Sequence, residues 1–128
     1  MLLENKGAVV TGGSRGIGRA VAEALAAEGA TVAVIYAGNT KAAEDTVRTI
    51  EEAGGKAFAV QCDVADEAAV SDMVKTVHEK LGTIDVFVNN AGITRDGLLM
   101  RMKREDWDAV LNTNLTGVYN CTKAVTKI

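Results

Sequence analysis

The sequence contains no proline, and it has few of the residues from which disulfide frameworks and metal centres are built. There are two cysteines, Cys62 and Cys121, and one histidine, His78. The cysteines form no C-x-x-C pair and lie in apolar periodic segments, so we expect neither a disulfide framework nor a zinc site, and a reducing cytoplasm fits. Because one histidine cannot form a metal cluster, we interpret His78 as a residue on the polar face of a helix.

The chain also lacks a pronounced excess of either charge and any long hydrophobic run. Its 14 basic and 17 acidic residues create no positive field that would attract nucleic acid. No apolar run approaches the roughly 20 residues of a membrane-spanning helix. The start of the chain, which includes Glu4 and Lys6, does not resemble a targeting segment. We therefore expect one cytoplasmic domain of 128 residues that binds neither nucleic acid nor membranes.

What the chain does have is an alternation of short apolar runs with longer amphipathic stretches. The apolar runs predict strands at residues 7–11, 31–36, 57–60 and 84–88, and helical spacing predicts a helix after each of them. Thr40 and Asp66 are candidate caps for the second and third helices. Apolar strands joined by helices favour a parallel sheet with right-handed crossovers.

We therefore expect a Rossmann-type α/β domain whose four strands have the order 3-2-1-4, with helices on both faces of the sheet. This order is the first part of the six-stranded order 3-2-1-4-5-6. Strand four would be an edge that a fifth strand normally covers, and the apolar sequence of residues 85–88 predicts association with another chain. We expect a homo-oligomer that forms through this strand or through the last helix.

The last helix has no stop signal. Residues 120–128 continue a helical pattern without glycine or proline. The pattern predicts that residues 1–128 form a single, truncated dinucleotide-binding domain that ends in mid-helix. The alternative is a frayed C-terminal helix.

A glycine-rich turn, residues 12–18, lies between the first strand and the first helix. Gly12, Gly16 and Gly18 give it the spacing G-x-x-x-G-x-G. A helix N-terminus offers unpaired N–H groups to a pyrophosphate, and glycine lets the backbone approach the phosphates closely. Any tight turn between a strand and a helix can use glycine, but its position after strand one favours dinucleotide binding.

The end of strand two indicates which dinucleotide would bind. An NAD enzyme usually carries an acid here to bind the ribose 2′-hydroxyl, whereas this strand ends in Tyr36 followed by Ala37, Gly38 and Asn39. Arg15 lies in the glycine turn, where a guanidinium can pair with a 2′-phosphate. The sequence therefore favours NADP(H). The alternative is that Arg15 is a solvated loop residue and that Glu44 or another group reaches the ribose.

Three later motifs join the glycine turn to indicate a family. They are Cys62-Asp63-Val64 at the end of strand three, Asn89-Asn90-Ala91-Gly92 at the end of strand four and Asn112-Thr113-Asn114-Leu115 in the last helix. Together the four motifs resemble the short-chain dehydrogenases/reductases over the whole chain. Within that family, residues 89–119 are similar to the bacterial 3-oxoacyl-[acyl-carrier-protein] reductases of fatty-acid synthesis.

The resemblance implies an NADPH-dependent oxidoreductase that transfers hydride to a 3-oxoacyl thioester carried on acyl carrier protein. It also implies a role for each motif. The residues that would hold the pyrophosphate and the 2′-phosphate are Gly12, Ser14, Arg15, Gly16, Ile17 and Gly18, with Ala37, Gly38 and Asn39 beside them. Asp63 and Val64 would contact adenine, and Asn90, Ala91 and Gly92 would line the ribose and nicotinamide side. The alternative for the asparagines and glycines is that they only build turns.

Asn114 lies at helical spacing from an apolar stripe formed by Trp107, Val110, Leu111 and Val118. This spacing predicts a buried amide, which needs hydrogen-bond partners or costs about 1–3 kcal/mol. A core asparagine that bonds neighbouring backbone is one interpretation. The resemblance implies the other, a catalytic asparagine that holds a water in a proton relay.

The family's remaining active-site residues have no match in this chain. The resemblance implies a serine that polarises the substrate carbonyl, a tyrosine that donates the proton and a lysine four residues beyond it. Tyr119 and Lys123 match the Y-x-x-x-K pattern, but they lie about 140° and 180° around the helix axis from Asn114. We interpret them as surface or packing residues. We therefore expect the isolated chain to be inactive, and the alternatives are a non-catalytic NADP-binding module or a self-associating fragment.

Overall fold

The computed structural model of the protein describes residues 1–14, 16–92 and 103–126. Within these ranges, helices alternate with strands as the sequence predicts. The strands are β1 (Gly7–Thr11), β2 (Thr31–Tyr36), β3 (Lys56–Gln61) and β4 (Val86–Val88). The helices are α1 (Gly16–Ala27), α2 (Thr40–Glu52), α3 (Glu67–Leu81), α4 (Arg104–Leu111) and α5 (Gly117–Thr126), and a π-helical segment (Asn112–Thr116) joins α4 to α5.

The strands form a parallel sheet in the order β3-β2-β1-β4, which confirms the predicted topology. Val9 in the centre of β1 lies opposite Ala33 of β2 on one side and Phe87 of β4 on the other. The chain therefore moves outward from β1 in one direction to reach β3 and then crosses to the other side to form β4. Ligands of such sheets bind in the crevice at the carboxyl ends of the strands, where the order reverses.

Each face of the sheet packs against its own pair of helices. On one face, Val10 and Val34 pack with Ala22 of α1 and Ile50 of α2. On the other face, the buried residues come from β1, β2, the segment after β3, α3 and α5, and they include Val9, Ala33, Ile35, Cys62, Val70, Val77 and Cys121. Alternate residues of the strands thus serve opposite cores, which confirms that helices cover both faces.

Two predicted boundaries differ slightly from the structure. Asn39, one residue before Thr40, caps α2, because its Oδ1 accepts a hydrogen bond of 2.9 Å from the backbone N of Ala42. The strand β4 begins at Val86, two residues later than predicted. The side chain of Asp85, the residue before it, accepts a hydrogen bond from the backbone N of Gly7 at the start of β1. Asp66 caps α3, as predicted, with its Oδ1 accepting from the N of Ala69 at 3.2 Å.

The predicted inner face of the last helix is wrong. Trp107, Leu111 and Val118 of that face are 48%, 39% and 37% exposed, and only Val110 and Val125 of it are half-buried. The residues of α5 that are buried are Gly117, Asn120 and Cys121. The π-helical segment winds more residues into a turn than an α-helix does, so it shifts the buried face of α5 relative to α4. It does not account for Trp107 and Leu111, which precede it and are exposed as well.

Candidate cofactor cleft

A cleft of about 410 Å³ lies at the carboxyl ends of the four strands. Its walls come from the glycine turn after β1 and from the segments that follow β2, β3 and β4. Most of the predicted cofactor residues line it: Gly12, Ser14, Gly16, Ala37, Gly38, Asn39, Asp63, Val64, Asn90, Ala91 and Gly92. We call this space the cofactor cleft. Residues that are 80 positions apart in the chain meet here because parallel strands end at the same edge of the sheet.

Several neighbouring elements hold the glycine turn in place. Its Gly12 has a φ of 66°, a conformation that glycine adopts without strain, and its backbone N donates to the carbonyl oxygen of Ile35 in β2 at 2.9 Å. The Nδ2 of Asn90 donates to the Gly12 carbonyl oxygen at 3.2 Å. The hydroxyl of Thr46 in α2 lies 2.9 Å from the carbonyl oxygen of Ser14. The turn is therefore fixed from β2, β4 and α2 before any ligand binds.

Gly18 has a different role from the glycines that line the cleft. A Cβ at this position would overlap the carbonyl oxygen of Gly12 and crowd the Nδ2 of Asn90. Gly18 therefore lets the first turn of α1 approach the strand-turn junction closely. The neighbouring Ile17 is exposed, and Arg15, the predicted 2′-phosphate ligand, lies outside the described residues.

Thr11 at the end of β1 orients the segment that follows β4, a role that was missed from the sequence. Its buried Oγ1 accepts hydrogen bonds of 3.0 Å from the backbone N of both Asn90 and Ala91. The same hydroxyl donates to the carbonyl oxygen of Val88 at 3.3 Å. The signal in the sequence was a hydroxyl residue at the end of a buried strand, directly before the glycine turn.

The wall after β2 is formed by residues 37–39. The carbonyl oxygen of Ala37 accepts from Gln61 Nε2 at 2.8 Å, which joins this wall to the end of β3. Among the described residues, no carboxylate lines the cleft on this side, and Glu44 is exposed and does not line the cleft. The described part of this wall therefore contains no carboxylate that would repel a 2′-phosphate.

The segment after β3 presents Asp63 and Val64 to the cleft. Asp63 is exposed, and its Oδ1 accepts from the N of Ala65 at 3.0 Å. Val64 is buried, because its side chain packs so closely on Gly117 that a Cβ there would clash with it. Its carbonyl oxygen accepts a 3.0 Å hydrogen bond from Asn120 Nδ2. Little of the Val64 side chain is thus available to a ligand.

Asn114 is exposed, so its predicted burial is wrong. The buried amide of this helix is Asn120, which is 5% exposed. Asn114 nevertheless lies beside the cleft, because its Oδ1 is 3.2 Å from the position that a Cβ on Gly92 would occupy. Thr113, which was not predicted as a site residue, lines the cleft directly. The π-helical segment thus brings residues 113 and 114 to the end of β4.

Neither cysteine is a reactive nucleophile. Burial, followed by the charges of Asp63 and Asp66, raises the pKa of Cys62 to about 11. Burial raises the pKa of Cys121 to about 12, with a further contribution from Cys62. Both are free thiols, and at neutral pH they stay protonated, whereas the thiolate is the reactive form.

Tyr119 and Lys123 lie on the surface of α5 and do not line the cofactor cleft. The Nζ of Lys123 is 5.7 Å from the centroid of the Tyr119 ring and 3.5 Å from Oε1 of Glu67. Tyr119 and then Glu67 raise the pKa of Lys123. The two residues therefore interact with each other and with α3, at a distance from the residues that were predicted to bind cofactor.

A larger cavity, of about 570 Å³, lies near the amino ends of the strands and is lined partly by Gly29, Thr31, Gly54 and Lys56. We favour the smaller cleft as the functional site, because it holds the glycine turn and the start of α1, where backbone N–H groups can bind phosphates. The described residues contain no group of three or more metal-binding side chains. No described helix has the length and apolar character needed to cross a bilayer.

Comparison with known proteins identifies the family. Residues 6–128 match the short chain dehydrogenase family. The chain is 54% identical over 122 residues to the 3-oxoacyl-[acyl-carrier-protein] reductase FabG of Staphylococcus epidermidis, and 57% identical over 121 residues to a 3-oxoacyl-[acyl-carrier-protein] reductase of Synechocystis. These alignments cover 95% and 94% of this chain but 50% and 49% of the two relatives. The chain thus spans about half the length of the curated relatives it matches.

Solved structures give the same result. A short chain dehydrogenase from Burkholderia cenocepacia in complex with NADP is 45% identical and superposes with a TM-score of 0.94, covering 99% of this chain and 52% of that one. A short-chain dehydrogenase/reductase from Serratia marcescens is 37% identical with the same TM-score and the same coverage. The resemblance inferred from the four motifs is confirmed, and the chain belongs to the short-chain dehydrogenase family.

Proposed function

We propose that this chain binds NADPH in the cofactor cleft and forms the nucleotide-binding part of a 3-oxoacyl-[acyl-carrier-protein] reductase. The observation that carries the proposal is the convergence of the four predicted motif segments on one edge of the sheet. The relatives named as 3-oxoacyl-[acyl-carrier-protein] reductases and the solved relative with bound NADP support it. We further propose that the 128 residues fold as one dinucleotide-binding unit, and that the reductase acts in the cytoplasm.

The preference for NADPH over NADH rests on the wall after β2. No carboxylate among its described residues would bind a ribose 2′-hydroxyl or repel a 2′-phosphate. Arg15, in the glycine turn, would supply the cation that pairs with the phosphate. The N–H groups at the start of α1 would bind the pyrophosphate.

The proposed reaction is reduction of the C3 carbonyl of a 3-oxoacyl thioester to a 3-hydroxyacyl thioester. NADPH, when bound, supplies the hydride. Asn90, Ala91 and Gly92 would line the ribose and nicotinamide side of the cleft, and Thr11 fixes two of these residues through their backbone N–H groups. Asn114, beside Gly92, would hold a water of the proton relay.

We expect the chain to bind nucleotide without turnover, because its sequence offers no serine, tyrosine and lysine at the positions that the family implies. Purified chain mixed with NADPH and a 3-oxoacyl thioester should show no change in absorbance at the nicotinamide band beyond the rate without protein. Oxidation of NADPH in proportion to the amount of chain would contradict this expectation.

The binding proposal is tested by isothermal titration calorimetry of the chain with NADPH and with NADH. We expect NADPH to bind more tightly, and we expect Arg15→Ala to weaken NADPH binding about tenfold while NADH binding changes little, because a charge-assisted bond to the 2′-phosphate is lost. Arg19→Ala is the control, since Arg19 pairs with Glu23 and Thr49 instead of lining the cleft. Equal affinities for the two nucleotides would contradict the NADPH preference.

A self-associating role is the second candidate. It is favoured by the exposed apolar side chains of the last helix, among them Trp107, Leu111 and Leu115, and by the partly exposed edge strand β4. We propose that a second copy of this chain covers these exposed apolar side chains, because burying an apolar surface lowers the free energy. Light scattering after size exclusion should give a dimer or larger species, and Leu115→Lys should shift it toward monomer. A monomer at all concentrations would contradict the proposal.

A further inference from the structure

Thr46 is a fully buried polar side chain that lies outside the predicted site. It sits on the inner side of α2 with 0% exposure. Its Oγ1 lies 2.9 Å from the carbonyl oxygen of Ser14 and 3.0 Å from that of Ala42. A hydroxyl has one proton to donate, so the two carbonyl oxygens share it.

The two acceptors have different positions in the structure. Ala42 is in the preceding turn of α2, and this bond is a local contact of a kind that many helical threonines make. Ser14 belongs to the glycine turn, 32 residues away in sequence. The Ser14 bond is therefore a tertiary contact, and it ties α2 to the part of the cofactor cleft that comes directly before Arg15.

The helix α2 also carries the opposite wall of the cleft. Residues 37–39 line the cleft immediately before α2, and Asn39 caps the helix by accepting from the N of Ala42. Thr46 lies six residues after Thr40, which is about 9 Å along a helix axis. A helix is rigid over this length, so the bond from Thr46 to Ser14 fixes the distance between the glycine turn and the wall after β2.

We propose that Thr46 is a positioning residue that determines cofactor specificity: by holding the Ser14 carbonyl, it sets the spacing of the two walls between which a ribose 2′-phosphate binds. The inference rests on the proposed binding of NADPH. A 2′-phosphate has several strong acceptor oxygens and would accept hydrogen bonds from donors on both walls, whereas the 2′-hydroxyl of NADH would make fewer contacts there. Loss of the Thr46 hydroxyl therefore weakens NADPH more than NADH.

The experiment measures the affinity of the purified 128-residue chain for NADPH and NADH by calorimetry in three variants and one control. Thr46→Val removes the hydroxyl and keeps the branched shape, Thr46→Ala removes it without placing a methyl group against Ser14, and Thr46→Ser keeps it. The control is Thr49→Val, which removes a hydroxyl group from the same helix. The Thr49 hydroxyl bonds the Arg19 side chain and the Asp45 carbonyl oxygen and does not contact the glycine turn.

We expect Thr46→Val and Thr46→Ala to lower the ratio of NADPH to NADH affinity about fivefold, the effect of losing one hydrogen bond. Thr46→Ser and Thr49→Val should keep the wild-type ratio. Circular dichroism and NADH binding verify the fold of each variant, and Thr46→Ala decides the outcome if Thr46→Val does not fold.

Three results would overturn the inference. If wild-type chain prefers NADPH and neither hydroxyl-free variant changes the ratio, the Thr46 role is wrong and the NADPH proposal stands. If both nucleotides weaken equally, Thr46 is only structural. If wild-type chain shows no preference for NADPH, the proposed cofactor specificity fails and the role of Thr46 fails with it.

Discussion

The side-chain amide of Asn90 donates a hydrogen bond of 3.2 Å to the carbonyl oxygen of Gly12, which joins the end of β4 to the glycine turn after β1. The two residues are 78 positions apart in the chain. This bond closes one side of the cofactor cleft, because both residues line it. It also explains why Gly18 cannot carry a Cβ, since the Asn90 amide and the Gly12 carbonyl occupy that space.

Asn90→Ala should destabilise the chain and loosen the glycine turn. The Gly12 carbonyl oxygen loses its side-chain donor, and an unpaired group of this kind costs about 1–3 kcal/mol. Urea unfolding followed by circular dichroism measures the free-energy change. Asn89→Ala is the matched control, because Asn89 is exposed and its Nδ2 makes only a 3.4 Å contact with Thr122. Equal stability of the two variants would show that the Asn90 bond contributes nothing.

Asn120→Leu should lower stability although it replaces a polar residue by an apolar one of similar size. The carbonyl oxygen of Val64 would lose the 3.0 Å bond from Asn120 Nδ2 in a buried setting, at a cost of about 1–3 kcal/mol. Thr122→Leu, an exposed position on the same helix, should change stability by less than about 0.5 kcal/mol. An Asn120→Leu variant as stable as wild type would contradict the importance of this bond.

Asp85 should make stability depend on pH in the acid range. Its Oδ2 accepts from the backbone N of Gly7 at 2.8 Å and from Thr83 Oγ1 at 2.9 Å. The Gly7 bond, followed by the Thr83 bond, lowers the pKa of Asp85 below the ordinary value of an aspartate. A depressed carboxyl pKa gives stability that is present above the unfolded-state value and is lost as pH falls through the folded-state value.

Asp85→Asn should therefore be less stable than wild type at neutral pH, and the difference should vanish as pH falls below the usual aspartate range. Urea unfolding midpoints of both proteins across this range measure the effect. Asp72→Asn is the control, because Asp72 is an exposed residue of α3, and we expect its difference in stability from wild type to be small at every pH. A constant difference between Asp85→Asn and wild type at all pH values would contradict the linkage.

Cys62 and Cys121 should react slowly with iodoacetamide in the folded chain. Both side chains are buried, and burial raises the pKa of Cys62 to about 11 and that of Cys121 to about 12. Since the thiolate is the reactive form, both the burial of the side chains and their lack of ionisation oppose the reaction. Mass spectrometry should find both thiols unmodified in buffer and modified in urea at the same pH. Rapid modification of either cysteine in buffer would contradict the packing of α5 against the segment after β3, because this packing buries both thiols.

Much of the fold could be predicted from the sequence, because its strands are short apolar runs and its helices have regular periodicity. The order β3-β2-β1-β4 and the caps at residues 39 and 66 follow from such local signals, within one residue. The glycine turn could also be predicted, because Gly12, Gly16 and Gly18 follow directly after the first apolar run. Most of the predicted site residues meet in the cleft, because parallel strands end at the same edge of the sheet.

The face of the last helix could not be predicted in the same way. A spacing of 100° per residue places Asn114 among apolar residues, which predicts a buried face, but Trp107, Leu111 and Val118 of that face are themselves exposed. The π-helical segment Asn112–Thr116 also changes the phase of α5 relative to α4. Asn120, Thr46 and Thr11 were missed because their importance depends on tertiary partners: Val64, Ser14 and the segment after β4. A buried polar residue has no periodic signal that reveals which distant backbone group it will bond.

The most direct test of the central claim is an NMR titration of isotope-labelled chain with NADPH. We predict shifts of backbone amide signals around the cofactor cleft, at Gly12, Ser14, Gly38, Asp63 and Gly92, and no shifts at Gly29, Gly54 and Gly55 in the cavity at the other end of the sheet. Shifts confined to that opposite cavity, or no shifts at saturating NADPH, would contradict the assignment of the cleft as the nucleotide site.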